Sequence, residues 1–167
     1  MSDLAYLNGD FVELDQATVS IEDRGFQFGD SIYEVIKLYN GQLFALERHL
    51  KRMLNGIERI DINLDYSLEE LKDICQQVVM KNKNNLKATE GSLYIQITRG
   101  AAPRSHGFTA DMDSTVIMYL LPPSNYKDEL RTAGAAAITV PDRRWELCSV
   151  KSTNLLTNIL SKQEAKK

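Results

Sequence analysis

The sequence predicts an α+β fold: a two-layer lobe over residues 1–121, with an antiparallel sheet covered by helices, then the opening strand and helix of a second, incomplete lobe. Three observations predict it. Strand-like runs near the N-terminus meet at Asn-Gly pairs, which supply the positive φ values that two-residue hairpin turns require. Apolar stripes at helical spacing follow them. Strand-like runs then return and stop at Pro122-Pro123, which cannot continue a strand ladder.

In order along the chain, Ala5-Tyr-Leu and Asp10-Phe-Val-Glu-Leu flank Asn8-Gly9 as a first hairpin. Ile32 to Tyr39 and Gln42 to Leu46 flank Asn40-Gly41 as a second. Leu46, Leu50, Met53, Leu54, Ile57 and Ile60 recur at helical spacing, with Arg48, Lys51, Arg52 and Glu58 mostly off that stripe. A second helix starts near Ser67, where Ser-Leu-Glu-Glu forms a capping-box pattern, and runs to about Met80. The polar tract from Lys81 to Asn85 is a loop. Strands return at Gly91–Thr98 and Ser114–Leu121, joined by a loop rich in Gly, Ala and Pro that carries Arg104 and His106. Residues 122–126 read as a linker. The second lobe, 127–167, opens with a strand over Gly134–Pro141 and a helix from Ser152, with Leu155, Leu156, Ile159 and Leu160 as its apolar face. With the rest of that lobe missing, both faces are expected to lie exposed.

A chain of 167 residues, 43% hydrophobic and 26% charged, builds an ordinary globular core. Its net charge of -3 excludes a nucleic-acid binder that works through a basic surface. No apolar run has the length of a membrane span, and the start at Met-Ser-Asp-Leu-Ala-Tyr is not a signal peptide, so a cytoplasmic protein is expected. Cys75 and Cys148 are far apart and have no metal-ligand spacing with the histidines; reduced thiols and no metal are expected.

Lys151 lies in the nearly uncharged segment Trp145-Glu-Leu-Cys-Ser-Val-Lys151-Ser-Thr-Asn-Leu-Leu. An ammonium in a partly dry pocket is costly, and a lysine held uncharged for part of the time can condense with an aldehyde. Alone, Lys151 is a weak signal, because most lysines are solvated surface charges. Asp23-Arg-Gly-Phe-Gln-Phe-Gly-Asp-Ser-Ile-Tyr-Glu-Val reads as a tight turn into a hairpin, or as a setting that presents the Tyr33 phenol. Arg52 is either a solvated helix charge or a clamp for phosphate. Arg104-Ser-His106 is either a surface loop with little to pack or a grip for a carboxylate, and His49 reads as a half-buried helix histidine rather than a ligand. No paired carboxylates, nucleotide-binding glycine loop or Ser/His/Asp pattern accompanies them.

Four segments occur in order over essentially the whole chain: Asp23 to Val35, Glu47-Arg-His-Leu-Lys-Arg52, Thr98-Arg-Gly-Ala-Ala-Pro-Arg104-Ser-His106, and Trp145 to Leu156. Jointly they resemble the class IV (fold type IV) pyridoxal-phosphate-dependent aminotransferases, and within them the D-amino-acid transaminases. The resemblance implies that Lys151 binds pyridoxal 5′-phosphate covalently and later shuttles the proton at the substrate Cα. It implies that Arg52 binds the cofactor phosphate, and that Tyr33, Arg104 and His106 bind the substrate carboxylate. The last two would reach in from a neighbouring subunit, so a homodimer is implied. The Arg-x-His pair favours D-amino acids and 2-oxo acids as substrates. A branched-chain L-amino-acid aminotransferase, an aminodeoxychorismate lyase or a catalytically empty dimerisation remnant remain open. Phe26 and Ser31 depart mildly from the family's usual tyrosine and glycine. Relatives continue through a full second lobe, which carries an acidic partner for the pyridine nitrogen and an amide cradle for the phosphate. The sequence ends at Lys167, so a fragment of the full enzyme is expected.

Overall fold

The computed structural model describes residues 3–84, 87–109, 111–123, 132–142 and 148–166. Residues 124–126 of the expected linker, 127–131 of the expected second lobe and Trp145-Glu-Leu of the lysine segment lie outside them.

Strands β1 (Leu4–Leu7), β2 (Asp10–Glu13), β3 (Ser31–Tyr39), β4 (Gln42–Leu43), β5 (Ser92–Thr98) and β6 (Thr115–Leu121) form one six-stranded sheet in the order β2-β1-β6-β5-β3-β4. Every pairing is antiparallel. Both Asn-Gly hairpins form as expected, with φ of 48° and 106° at Asn8-Gly9 and 49° and 78° at Asn40-Gly41. The longest ladder runs from Ser31↔Thr98 to Lys37↔Ser92, and it fixes which residues of β3 share a face.

The period-2 alternation sorts the sheet into two faces. Ile32, Ile36, Leu93, Ile95, Ile97 and Met118 are fully buried and point to one side. There they meet α2 (Leu46–Arg59) through Leu50, Met53 and Ile57, and α3 (Leu68–Lys81) through Leu71, Cys75 and Val78. The expected capping box closes the start of α3: Ser67 Oγ accepts from the Glu70 N–H at 3.2 Å, and the Ser67 N–H donates to Glu70 Oε2 at 2.8 Å. Cys75 sits in this core, and burial pushes its thiol up to about 12. Cys148 is exposed. In the native protein a thiol reagent at neutral pH is therefore expected to label Cys148 promptly and Cys75 only after unfolding. Rapid labelling of both would place the core wrongly.

Two short helices were not foreseen. The turn before β3 is α1 (Arg24–Phe28), started by Asp23, whose Oδ1 accepts from the Gly25 N–H at 2.7 Å. A Cβ at Gly25 would collide with Thr98 Cγ2, and Gly29 ends the helix in the left-handed region at φ 68°. The other is α4 (Lys87–Glu90), just before β5.

Beyond β6 one expectation fails. The segment 134–141 forms no strand, and its residues, including Ile138 and Val140, are exposed. Strand character needs a neighbour to take the backbone N–H and C=O groups, and no described strand lies alongside. The helix does form, but as α5 (Leu156–Glu164) rather than from Ser152, because Ser152 and Thr153 pair with β3 instead. Its apolar face is bare, with Leu156, Ile159 and Leu160 69%, 61% and 61% exposed. No helix among the described residues is long and apolar enough to cross a membrane.

Candidate active site

Residues 150–153 run along the free edge of β3 like one more short strand. The Tyr33 N–H donates to the Lys151 carbonyl at 3.0 Å and the Thr153 N–H to the Ser31 carbonyl at 3.3 Å, with an isolated bridge between Ile32 and Ser152. Side-chain bonds reinforce the seam: Ser31 Oγ and Thr153 Oγ1 lie 2.6 Å apart, and Arg59 at the end of α2 donates to Ser149 Oγ at 2.6 Å. Val150 and Ser152 turn inward and are buried. Alternation therefore sends Lys151 to the opposite side, where its Nζ lies 4.0 Å from the centroid of the Tyr33 ring.

That side is the face of the sheet opposite α2 and α3, and it is polar and aromatic. Tyr33 stacks on Tyr94 with centroids 5.9 Å apart, and Tyr94 meets Tyr119 at 5.2 Å. Tyr94 donates to Gln96 Oε1 at 2.8 Å, and Gln96 donates to Ser31 Oγ at 3.2 Å. Burial, then the neighbouring phenols of Tyr119 and Tyr33, push the Tyr94 hydroxyl up to about 12, so at neutral pH it remains a proton donor. A cavity of about 680 Å³ opens over this face, bordered by Phe28, Gly29, Tyr94, Gln96, Thr153 and Asn154. Leu155, Leu156 and Ile159 line it as well, whereas Lys151 and Tyr33 are not among its lining residues.

Glu34 follows Tyr33 and so faces the other way, into the core, where its side chain is fully buried. A buried carboxylate needs partners. Arg52 supplies two, donating from Nε to Oε1 at 2.6 Å and from Nη2 to Oε2 at 2.7 Å. His49 Nδ1 lies 2.8 Å from Oε2. Burial raises the Glu34 carboxyl, but the Arg52 and His49 hydrogen bonds outweigh it and hold the group below the usual carboxylate range. Arg52 is thus no freely solvated charge: its side chain is 54% exposed, yet its orientation is pinned by a buried partner. Sequence reading missed Glu34. The signal was present, since a glutamate in the inward register of Ile32-x-Glu34-x-Ile36-x-Leu38 requires a cation nearby.

Arg104 and His106 lie on the exposed loop between β5 and β6, and both meet the ring of Phe28. Arg104 Cζ is 4.9 Å from its centroid, and the His106 ring packs edge-on at 5.6 Å. This loop was expected to have little to pack. Instead the buried Arg24 ties it down, donating to the carbonyls of Ser105 at 2.5 Å, His106 at 3.1 Å and Gly107 at 3.3 Å. The five sequence-derived residues therefore fall into three groups: Lys151 with Tyr33, Arg52 behind them on Glu34, and Arg104 with His106 on Phe28. The first two groups share consecutive residues of β3. The third approaches them through α1, whose Phe28 and Gly29 border the 680 Å³ cavity, and through a smaller cavity of about 310 Å³ that His106 shares with Ser152 and Asn154.

Comparison with known proteins gives a consistent picture. The family model for amino-transferase class IV matches residues 31–167. The D-alanine aminotransferase of Staphylococcus epidermidis is 42% identical over 162 residues, which cover 97% of this chain and 56% of that protein. The chain thus spans a little over half the length of the curated relative it matches. Among solved structures, the branched-chain amino acid aminotransferase of Escherichia coli superposes with a TM-score of 0.78 at 20% identity, over 99% of this chain and 55% of that one. The 4-amino-4-deoxychorismate lyase of Pseudomonas aeruginosa gives 0.75 at 24% identity, over 96% and 56%. At these identities the two structures speak for the fold alone.

Proposed function

The chain belongs to the amino-transferase class IV family, and from that premise we propose that it is the N-terminal part of a pyridoxal-phosphate-dependent D-amino-acid transaminase. The enzyme would exchange amino groups between D-alanine-like donors and 2-oxoglutarate-like acceptors in the cytoplasm. The observation that carries the reading is the Lys151 amine, fixed by a backbone bond to β3 and laid over the Tyr33 ring.

The donor set suits that cofactor. Lys151 offers a primary amine for its aldehyde, and Arg52, steadied by Glu34, offers a guanidinium for its phosphate. When bound, the cofactor supplies the electron sink that makes loss of the Cα proton feasible. The chain's own residues do the rest. Lys151 holds the cofactor, and when released by substrate its Nζ carries the proton to and from one face of Cα. Tyr33, beside it, offers a hydroxyl to the substrate carboxylate. Arg104 and His106 complete that grip from the neighbouring subunit of a homodimer, both exposed on a braced loop with guanidinium and imidazole resting on Phe28. Anchoring the carboxylate on one side decides which face of Cα meets Lys151, and so decides handedness.

The experiment is an assay of D- against L-alanine with 2-oxoglutarate, in the full-length gene product and its Arg104→Gln variant. Loss of charge-assisted hydrogen bonds worth about 1.5–3 kcal/mol is expected to raise KM for D-alanine by about tenfold to a hundredfold. No L-activity should appear. A branched-chain L-aminotransferase or an aminodeoxychorismate lyase is the second reading; preference for L-substrates, unaffected by Arg104→Gln, would establish it instead.

A further inference from the structure

The buried cluster beneath the Arg104–His106 loop is too heavily built for an ordinary loop anchor. Asp30 lies between two buried arginines. Arg24 Nε donates to Oδ2 at 2.8 Å, and Arg99 donates from Nε to Oδ2 at 2.8 Å and from Nη2 to Oδ1 at 3.0 Å. Arg99 is tied in turn to the end of α2, donating to the carbonyls of Ile60 at 2.6 Å and Asp61 at 2.5 Å. Burial raises the Asp30 carboxyl, but hydrogen bonds from Arg99 and Arg24 overcome it and keep the group below the usual aspartate range. With one carboxylate shared between two cations, the cluster keeps a net positive charge. That charge is balanced by carbonyl dipoles, and Arg24 finds three of them on consecutive loop residues: Ser105, His106 and Gly107.

A backbone held at three successive carbonyls has little freedom left to rotate, so the side chains it carries leave it in fixed directions. The aromatic ring of Phe28 then supports both of them. It takes the Arg24 and Arg104 guanidinium groups at 4.9 Å each and the edge of the His106 ring at 5.6 Å. On the far side Phe108 closes over Arg99 at 3.6 Å. We propose that Arg24, braced by Asp30 and Arg99, is the positioning residue that sets the spacing and direction of Arg104 and His106 for gripping a substrate α-carboxylate. This rests on the assignment of those two residues under the proposed function. It adds that the selectivity of the loop is built from α1 and the ends of β3 and β5.

The test uses the cofactor-loaded full-length enzyme carrying Arg24→Met, Arg24→Lys or Arg104→Gln. KM and kcat for a D-amino acid, a 2-oxo acid and a primary amine lacking a carboxylate are measured on all three, and the rate of tryptic cleavage after Arg104, mapped by mass, on the wild type and the two Arg24 variants. For Arg24→Met, KM for both carboxylate substrates is expected to rise by about tenfold to a hundredfold, with kcat changed by less than about threefold. Reaction of the amine should be unchanged. Cleavage after Arg104 should quicken by about tenfold as the loop loosens. Arg24→Lys keeps a cation beside Asp30 but cannot span three carbonyls, so it should fall between; it carries the same test if the methionine variant does not fold. If Arg104→Gln raises KM for the carboxylates and neither Arg24 variant does, the role given to Arg24 is overturned. Equal losses for the amine and the carboxylates in the Arg24 variants overturn it too, because they show general damage. If Arg104→Gln leaves KM unaltered, the functional assignment itself fails, and the positioning role falls with it.

Discussion

Lys151→Ala is expected to lower transamination by about 10⁴-fold while hardly changing stability. The two effects separate because the lysine is attached by one group and acts through another. Its carbonyl accepts from the Tyr33 N–H, and alanine keeps that bond. The side chain adds only the contact of Nζ with the Tyr33 ring at 4.0 Å, worth about 0.5–1 kcal/mol at a partly exposed site. Thermal unfolding of the variant should therefore stay close to wild type. A variant that loses stability and activity together would make Lys151 a structural residue of the β3 edge. Normal turnover in a well-folded variant would remove it from the chemistry.

Arg52→Ala should be the most destabilising single change at the site, by about 2–3 kcal/mol at neutral pH, and should also weaken cofactor binding. The asymmetry of the pair sets the size. Glu34 is fully buried, whereas Arg52 is 54% exposed, so removing the arginine strands a carboxylate in the core with only His49 beside it. Removing the glutamate instead would leave a cation able to turn to water, a milder loss because exposed charges are well screened. The sign with pH follows from the protons. In the wild type the folded carboxyl titrates below the ordinary glutamate value of 4.5, so the unfolded chain takes up the proton first. The stability this pair contributes is present above that value and is lost as pH falls through the folded one. Without Arg52, burial dominates and lifts the Glu34 carboxyl, so protonation relieves the variant as the solution is acidified. Denaturant unfolding of the two proteins should thus diverge at pH 7 and converge toward pH 4. A penalty that stayed constant over that range would mean Glu34 is not the group left unpaired.

Local chemistry was legible in the sequence wherever it acts through near neighbours. Asn8-Gly9 and Asn40-Gly41 made hairpins because the required φ values belong to those residues. Ser67 and Glu70 capped α3 because both partners lie within one turn. The Leu50, Met53, Ile57 stripe faced the sheet as its spacing dictated. Gly134–Pro141 failed for the opposite reason. A strand is stabilised by its partner, and propensity in that segment carries no information on whether one is present. The site divides in the same way. Tyr33 and Lys151 stood out as residue types in suggestive segments, but their contact depends on residues 150–153 pairing with β3, more than a hundred positions away in the chain. Glu34 was half legible, through its inward register. The Arg24–Asp30–Arg99 cluster was not, since in the sequence its charges resemble ordinary surface ones until the fold buries them.

The most direct measurement is borohydride reduction of the full-length protein with pyridoxal 5′-phosphate, followed by peptide mass mapping. A single reduced pyridoxyl group is expected on the peptide containing Lys151, with matching loss of the visible absorbance, and none in Lys151→Ala. A label on another lysine, or no trapped adduct with Lys151 intact, would contradict the central claim that this amine on the edge of β3 is the one that holds the cofactor.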